Sequence, residues 1–201
     1  MGDAIQYAQN SKGLNAPLTD IASFCEEVLL SSGFSDEAYA RYAIEASYET
    51  TNLATFRAIA KKYPHMPAET ILRDLVASQP GQEGKWFAAA KDSGLFELAI
   101  ELVTISPTDP RTLFRAARDY AVKQPAFAGA AGMAGLRCIS DGYGYDITSI
   151  DVLDAYSALM QAAGAAGIQE ASMKADIRAL ITGSQYSGDF VQRVLSRQLA
   201  E

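Results

Sequence analysis

Three arginines of this 201-residue chain have the spacing of a binding surface. Arg111, Arg115 and Arg118 follow Asp109-Pro110, a dipeptide typical of a helix start because Asp caps free backbone N–H groups and Pro fits the first turn. At positions i, i+4 and i+7 of a helix the three side chains share one face. Because the chain is acidic elsewhere, a positive face predicts the capture of an acidic peptide or protein surface.

Other cations occupy comparable places in two similar segments. Phe114–Asp119 echoes Phe87–Asp92 and, more loosely, Phe56–Lys61. The echoes are about thirty residues apart, the period of helix-pair repeats. If these segments are the first helices of stacked pairs, their cations line one concave groove. The alternative is local ion pairing, for instance of Arg115 with Asp119 at i, i+4. The predicted partner-binding residues are Arg57, Lys61, Lys91, Arg111, Arg115 and Arg118.

Residues that could catalyse a reaction are few. His65 is the single histidine and lies in a Pro-bounded loop, so neither a histidine metal site nor a Ser-His relay is expected. Cys25 and Cys138 lie in apolar helical patterns, without the spacing of a metal site or a disulfide framework. Both are predicted to be buried core residues. We therefore expect no catalytic residue, no metal and no cofactor.

Paired acidic residues give no stronger catalytic signal. Glu26-Glu27 and the i, i+4 pair Glu97 and Glu101 fall in helical patterns. Acid catalysis needs an enclosed pocket that separates the pKa values of two carboxyl groups. Both pairs are instead predicted to lie on solvated helix faces.

The loop from Asp141 to Asp146 contains two glycines and two tyrosines. It lacks the alternating oxygen ligands of a calcium loop and the Lys-Ser/Thr of a phosphate-binding loop. Tyr143 and Tyr145 are expected to pack over the end of the preceding helix. The alternative to a protein-binding surface is a small-molecule-binding or enzymatic helical domain with a pocket near these tyrosines. A third possibility is a purely structural role.

The composition indicates a folded acidic protein. Hydrophobic residues make up 49% of the chain and charged residues 20%, which is too apolar for a disordered segment. The net charge of -7 argues against a nucleic-acid binder, whose phosphate contacts need a basic surface. The N-terminus has no signal-peptide pattern, and the longest apolar run is too short to span a bilayer. We expect a cytoplasmic protein with a protein or peptide partner.

Apolar residues recur with the period of helices, and no segment alternates with the period of a strand. The Gly and Pro breaks predict ten to eleven short helices and no sheet. One example is the segment from Leu18 to Ser31, where a single buried stripe is predicted. Its members are Ile21, Phe24, Cys25, Val28 and Leu29.

Small residues and caps add detail to this helical pattern. Gly129, Gly132 and Gly135 recur in one predicted helix, where each costs roughly 1 kcal/mol relative to Ala. Close packing of this helix between its neighbours is the simplest compensation. Ser35 is predicted to cap one helix, and Thr148 with Asp151 to form a capping box for another. Further predictions are core positions for Trp86 and Phe87, and a partial helix at Asp3–Gln9 that indicates a piece of a longer solenoid.

Two segments resemble the second helix of a tetratricopeptide repeat. Ser32–Ala43 reads SGFSDEAYARYA, with a Gly turn, an acidic residue, Glu-Ala and then spaced aromatics and alanines. Ser93–Leu102 is similar and is followed by Asp109-Pro110, much as those repeats end in Asp-Pro. The resemblance implies a tetratricopeptide-like α-solenoid that binds other proteins along its inner groove. The chain also resembles a bacterial family without an assigned activity.

Together these features predict an all-α, helix-pair α-solenoid. Residues 1–141 are expected to form tetratricopeptide-like repeats, and residues 142–201 a C-terminal helical cap packed on the same solenoid. The predicted function is a non-catalytic protein–protein interaction or scaffold module that binds an acidic surface through a basic groove.

Overall fold

The computed structural model of the chain describes residues 18–183 and 188–200. Over these residues it contains eleven α-helices, one short 3₁₀ helix and no strand. The all-helical prediction is therefore confirmed for this part of the chain. The helical segment predicted at Asp3–Gln9 lies outside the described residues.

The helices form two compact units that divide between Gln79 and Pro80. The boundary predicted after residue 141 falls inside the second unit, in the loop between the helices Pro125–Ser140 and Ser149–Ala165. The first unit contains α1 (Leu18–Ser31), α2 (Ser35–Ala46), α3 (Asn52–Lys62) and α4 (Ala68–Ala77). The second begins with the 3₁₀ helix (Glu83–Trp86) and continues with α5 (Phe87–Asp92), α6 (Phe96–Ile105), α7 (Pro110–Tyr120), α8 (Pro125–Ser140), α9 (Ser149–Ala165), α10 (Glu170–Thr182) and α11 (Gly188–Leu195).

Two of the three predicted helix caps are formed. The Asp109 side chain accepts a hydrogen bond from the backbone of α7, and Thr148 and Asp151 form a reciprocal capping box at the start of α9. Ser35 is an exception, because α2 begins at Ser35 itself, one residue earlier than a cap at Ser35 would place its start. Phe34 takes the cap position without a side-chain hydrogen bond, so the prediction for Ser35 was wrong.

Helix α1 is buried on a face that is rotated by one residue from the predicted stripe. Its buried residues are Ala22, Cys25, Glu26 and Leu29, at i, i+3, i+4 and i+7. Phe24 is 60% exposed, so its predicted burial was wrong. Apolar residues cover more than one face of α1, and the sequence pattern alone does not choose between two adjacent faces.

The buried carboxylate of Glu26 links three parts of the first unit. It accepts a hydrogen bond from the Tyr63 hydroxyl at 2.6 Å and forms an ion pair with Lys62 at 2.6 Å. Lys62 also donates to the Ser47 hydroxyl at 3.1 Å. The prediction of a solvated Glu26 was wrong, because partners distant in sequence compensate its charge. Glu27 is exposed, as predicted.

A second polar contact joins α2 to α4. The Tyr39 hydroxyl donates to the Asp74 carboxylate at 2.6 Å, and the Tyr39 and Tyr63 rings meet edge to face at 5.2 Å between centroids. Burial, reinforced by Asp74, raises the pKa of Tyr39 well above its usual range. Burial and then Glu26 raise the pKa of Tyr63 in the same way. Both phenols are therefore held in the neutral form as donors to carboxylates.

Helix α8 is central to the second unit, where it packs against α6, α7, α9, α10 and α11. A Cβ atom built on Gly135 would lie 2.4 Å from Cε1 of Phe114 in α7, and one built on Gly132 would lie 2.8 Å from Cδ2 of Leu159 in α9. Gly129 has nothing within 4 Å of such an atom. The predicted close packing is thus confirmed for two of the three glycines.

We expect Gly135→Ala to lower the free energy of unfolding. The added methyl group would meet the buried Phe114 ring, and overpacking of this kind costs about 1–3 kcal/mol. The matched control is Gly129→Ala on the same helix, which should raise the free energy of unfolding by about 0.5–1 kcal/mol through helix propensity. Urea denaturation measures both effects, and equal stabilisation by the two substitutions would contradict the close contact.

We expect Tyr63→Phe to lower the free energy of unfolding by roughly 1.5–3 kcal/mol at neutral pH, because the buried Glu26 carboxylate loses a charge-assisted hydrogen bond. Tyr48→Phe is the control, since the Tyr48 side chain is exposed. Urea denaturation again gives the measurement, and equal effects of the two variants would argue against the buried contact.

The same variant tests the raised pKa of Tyr63. An unfolded tyrosine loses its proton near pH 10. The folded chain keeps that proton, so stability is retained below pH 10 and is lost at about 1.4 kcal/mol per pH unit for each such tyrosine above it. Tyr63→Phe should therefore make this alkaline slope shallower.

Candidate functional site

The arginines of α7 lie on its exposed side, as the sequence predicts. The opposite side of the helix is buried against the rest of the second unit. Arg118 pairs with its neighbour Asp119 at 3.0 Å. Arg115 has no hydrogen-bond or ion-pair partner within residues 18–183 and 188–200. The alternative pairing of Arg115 with Asp119 is therefore not formed.

Arg111 connects α7 to the loop that precedes α9. Its guanidinium donates a hydrogen bond to the backbone carbonyl of Asp146 and lies 3.6 Å from the carboxylate of Asp151. Because Asp151 also belongs to the capping box of α9, this one side chain joins the starts of two helices. We define the arginine row as Arg111, Arg115 and Arg118. The side chain at its first position, Arg111, is thus held in place.

The remaining predicted cations have different surroundings. Lys91 is half-buried, with its ammonium group 5.6 Å from the centre of the Tyr120 ring, a cation–π contact. Arg57 and Lys61 are exposed on α3, in the first unit. Their arrangement in one groove with the arginine row stays a prediction. The two core predictions are confirmed, because Trp86 and Phe87 are almost completely buried.

The tyrosine loop, residues 141–148, is shaped differently from the prediction. Tyr143 is 52% exposed and Tyr145 is 86% exposed, so the expectation that they pack over the preceding helix was wrong. The backbone turns at Gly144, with φ +114°, and at Asp146, with φ +53°. A Cβ atom on Gly144 would lie 3.1 Å from Cγ of Pro110. The glycine backbone therefore occupies the space over the start of α7, and both tyrosines are left exposed.

A cavity of about 570 Å³ lies between the tyrosine loop and the start of α7. Its aromatic lining residues are Tyr143 and Tyr145, and its charged lining residues are Lys85, Asp109 and Arg111. This is the region of the alternative pocket expected from the sequence. Sequence reasoning missed Lys85, because no local pattern connects the 3₁₀ helix to a loop so much later in the chain.

The charges at this cavity are partly compensated. The Asp109 carboxylate accepts a hydrogen bond from the Arg111 backbone N–H at 3.2 Å, and Lys85 donates to the neutral amide oxygen of Gln82 at 2.7 Å. Backbone and side-chain hydrogen bonds from Thr148, and to a smaller extent Arg111, lower the pKa of Asp151. Lys85 has no carboxylate partner among the residues that the structure describes. Lys85 therefore contributes a positive charge to the lining that no described carboxylate compensates.

His65 has two polar neighbours that the sequence did not predict. The Ser35 hydroxyl lies 3.2 Å and the Asp36 carboxylate 3.1 Å from the same ring nitrogen, Nε2. A nucleophile relay needs the hydroxyl and the carboxylate on different ring nitrogens. The His65 contacts consequently join the start of α2 to the loop after α3 without forming a relay.

The cysteines and the other acidic residues give no metal-binding arrangement. Cys25 and Cys138 are free and buried, as predicted, and burial raises the pKa of the Cys138 thiol. Glu97 and Glu101 are exposed on α6, also as predicted. Across the described ranges, no group of three or more His, Cys, Asp or Glu side chains could hold a metal ion. None of the helices described for this chain is long and apolar enough to cross a membrane.

Comparison with protein-family models, with curated proteins and with solved structures found no match to this chain. The resemblance to tetratricopeptide repeats therefore stays a prediction that rests on the quoted residues.

We expect Asp151→Ala to lower the free energy of unfolding by about 1 kcal/mol through loss of the capping box. Asp154→Ala is the matched control, because Asp154 is exposed on the same helix outside the cap. The native pKa of Asp151 is lowered, so its contribution is present above the unfolded value of about 4 and is lost as the pH falls below it. Urea denaturation at neutral and acidic pH should show the difference between the variants shrinking in acid; a constant difference would contradict this account.

Proposed function

We propose that this chain is a non-catalytic interaction module that binds an acidic segment of a partner protein on the arginine row of α7. The observation that carries the proposal is Arg115, which is exposed on a formed helix and has no partner among the described residues. A guanidinium group presents five N–H donors in a planar fork that matches a carboxylate. Arg115 therefore supplies a binding group that the described part of the chain leaves unused.

The neighbours of Arg115 support the same surface. Arg118 faces the Asp119 carboxylate in a solvent-exposed ion pair, whereas Arg111 is held by Asp146 and Asp151. Exposed pairs contribute only about 0–1 kcal/mol, so a partner's carboxylate can share or replace the present one at little cost. The row is also positive on a chain of net charge -7, which favours steering of an acidic partner toward it.

We further propose that the helices form a tetratricopeptide-like α-solenoid in the cytoplasm. The supporting observations are that consecutive helices pack together within each unit, apart from α6 and α7, and that the echoing residues Phe56, Phe87 and Phe114 are all buried. In such a solenoid Arg57, Lys61 and Lys91 would extend the arginine row into a basic groove. An arrangement of this kind binds extended segments along one surface.

A second candidate function is the binding of a small molecule in the cavity at the tyrosine loop. The cavity volume of about 570 Å³ is within the size range of ligand pockets. Its aromatic and charged lining favours this candidate. An acidic protein partner requires Arg115, whereas a small molecule confined to the cavity does not.

The proposed function is tested by affinity capture with the full chain at low and moderate salt. We expect Arg115→Glu to reduce retention of the captured partner by roughly tenfold, the loss typical of a central binding residue. Arg197→Glu changes the net charge equally at another exposed arginine and should leave capture unchanged. Capture should weaken with salt because the charges are exposed. Equal capture by the parent chain and Arg115→Glu would overturn the proposal.

A further inference from the structure

The cavity and the arginine row share one residue, Arg111, which lines the cavity and begins the row. We propose that the cavity receives an aromatic side chain of the acidic segment, while carboxylates at alternate positions of that segment lie along α7. This inference rests on the proposed function and specifies the chemistry of the partner. It assigns the exposed tyrosines of the loop to the same binding surface as Arg115.

The spacing of the row fits an extended peptide. Along a helix, Arg115 lies about 6 Å beyond Arg111, and Arg118 about 4.5 Å further. Alternate side chains of an extended strand point to the same side and repeat at about 6.6–6.8 Å. Carboxylates two residues apart can therefore each reach a guanidinium of the row. Adjacent carboxylates point to opposite sides, so only one of them would face α7.

The lining of the cavity favours an uncharged ring over a further carboxylate. Asp109 contributes a negative charge to the wall, and Arg111 already faces Asp151. A carboxylate placed inside the cavity would therefore meet both signs of charge. An aromatic side chain instead contacts Tyr143 and Tyr145, and the Lys85 ammonium group can lie over its ring face or donate a hydrogen bond to a phenolic oxygen.

The exposure of the two tyrosines supports the same assignment. Tyr and Arg are the residues most enriched at the centres of protein interfaces, where large rings bury area at low entropic cost. Here two exposed tyrosines lie beside Arg111 at the edge of one cavity. The expected recognition pattern is an aromatic residue followed or preceded by acidic residues at every second position.

The test uses fluorescence anisotropy with labelled peptides of about eight residues, long enough to span the row in extended form. One pair of peptides carries alternating acidic residues with a tyrosine at either end. In the first control peptide the tyrosine is replaced by alanine, and in the second the acidic residues are gathered into one block. The third control is the free amino acid tyrosine without a peptide. The proteins are the full chain, the double variant Tyr143→Ala with Tyr145→Ala, and Arg115→Glu. Tyr48→Ala controls for removal of an exposed tyrosine, and circular dichroism checks folding.

We expect one tyrosine-ended alternating peptide to bind the full chain at least tenfold more tightly than its alanine version. The double tyrosine variant should lose this advantage and still bind the acidic peptides weakly. Acidic peptides that bind equally with and without the aromatic residue would overturn the inference and leave the proposed function standing. Failure of every acidic peptide, with no difference for Arg115→Glu, would overturn both. Tight binding of free tyrosine would instead indicate a small-molecule pocket and would also overturn the inference.

Discussion

The close approach of α8 to its neighbours is the constraint on which the second unit depends. Gly135 leaves space for the Phe114 ring, and Gly132 leaves space for Leu159. The Phe114 contact sets the rotation of α7 about its own axis, since a helix that buries Phe114 must turn the positions between its buried residues outward. The arginine row is exposed for this reason. A packing contact between two helices thus determines which side of α7 faces the solvent.

The first unit is held by a different kind of interaction. Glu26 brings a carboxylate into the interior, and the unit compensates it with Lys62 and the Tyr63 hydroxyl. Such a pair adds little net stability relative to an apolar core, but removal of either partner leaves an uncompensated charge. The cluster therefore restricts how α1 can be rotated against α3. Glycine contacts define the geometry of one unit, and a buried charge defines that of the other.

Helix ends could be predicted from the sequence because their signals are local. The observed bounds of α1 match the predicted ones, and Asp109 and the Thr148–Asp151 pair cap the helices they were expected to cap. Which side chains of an element are buried and which are exposed was less predictable, because this depends on residues that are distant in sequence. Glu26 is buried only because residues 62 and 63 reach it. The tyrosines are exposed only because the Gly144 backbone lies over Pro110, a contact that no local pattern reveals.

The local capping interactions also hold the surface loop that belongs to the proposed binding site. Asp109 caps α7, Asp151 caps α9, and Arg111 bonds both to the Asp146 carbonyl and to the Asp151 carboxylate. The loop that carries Tyr143 and Tyr145 is thereby attached at its later end to the first turn of α7. A loop held in this way loses less conformational entropy on binding than a free one. Arg111 and the later end of the tyrosine loop are consequently held together where the two helices start.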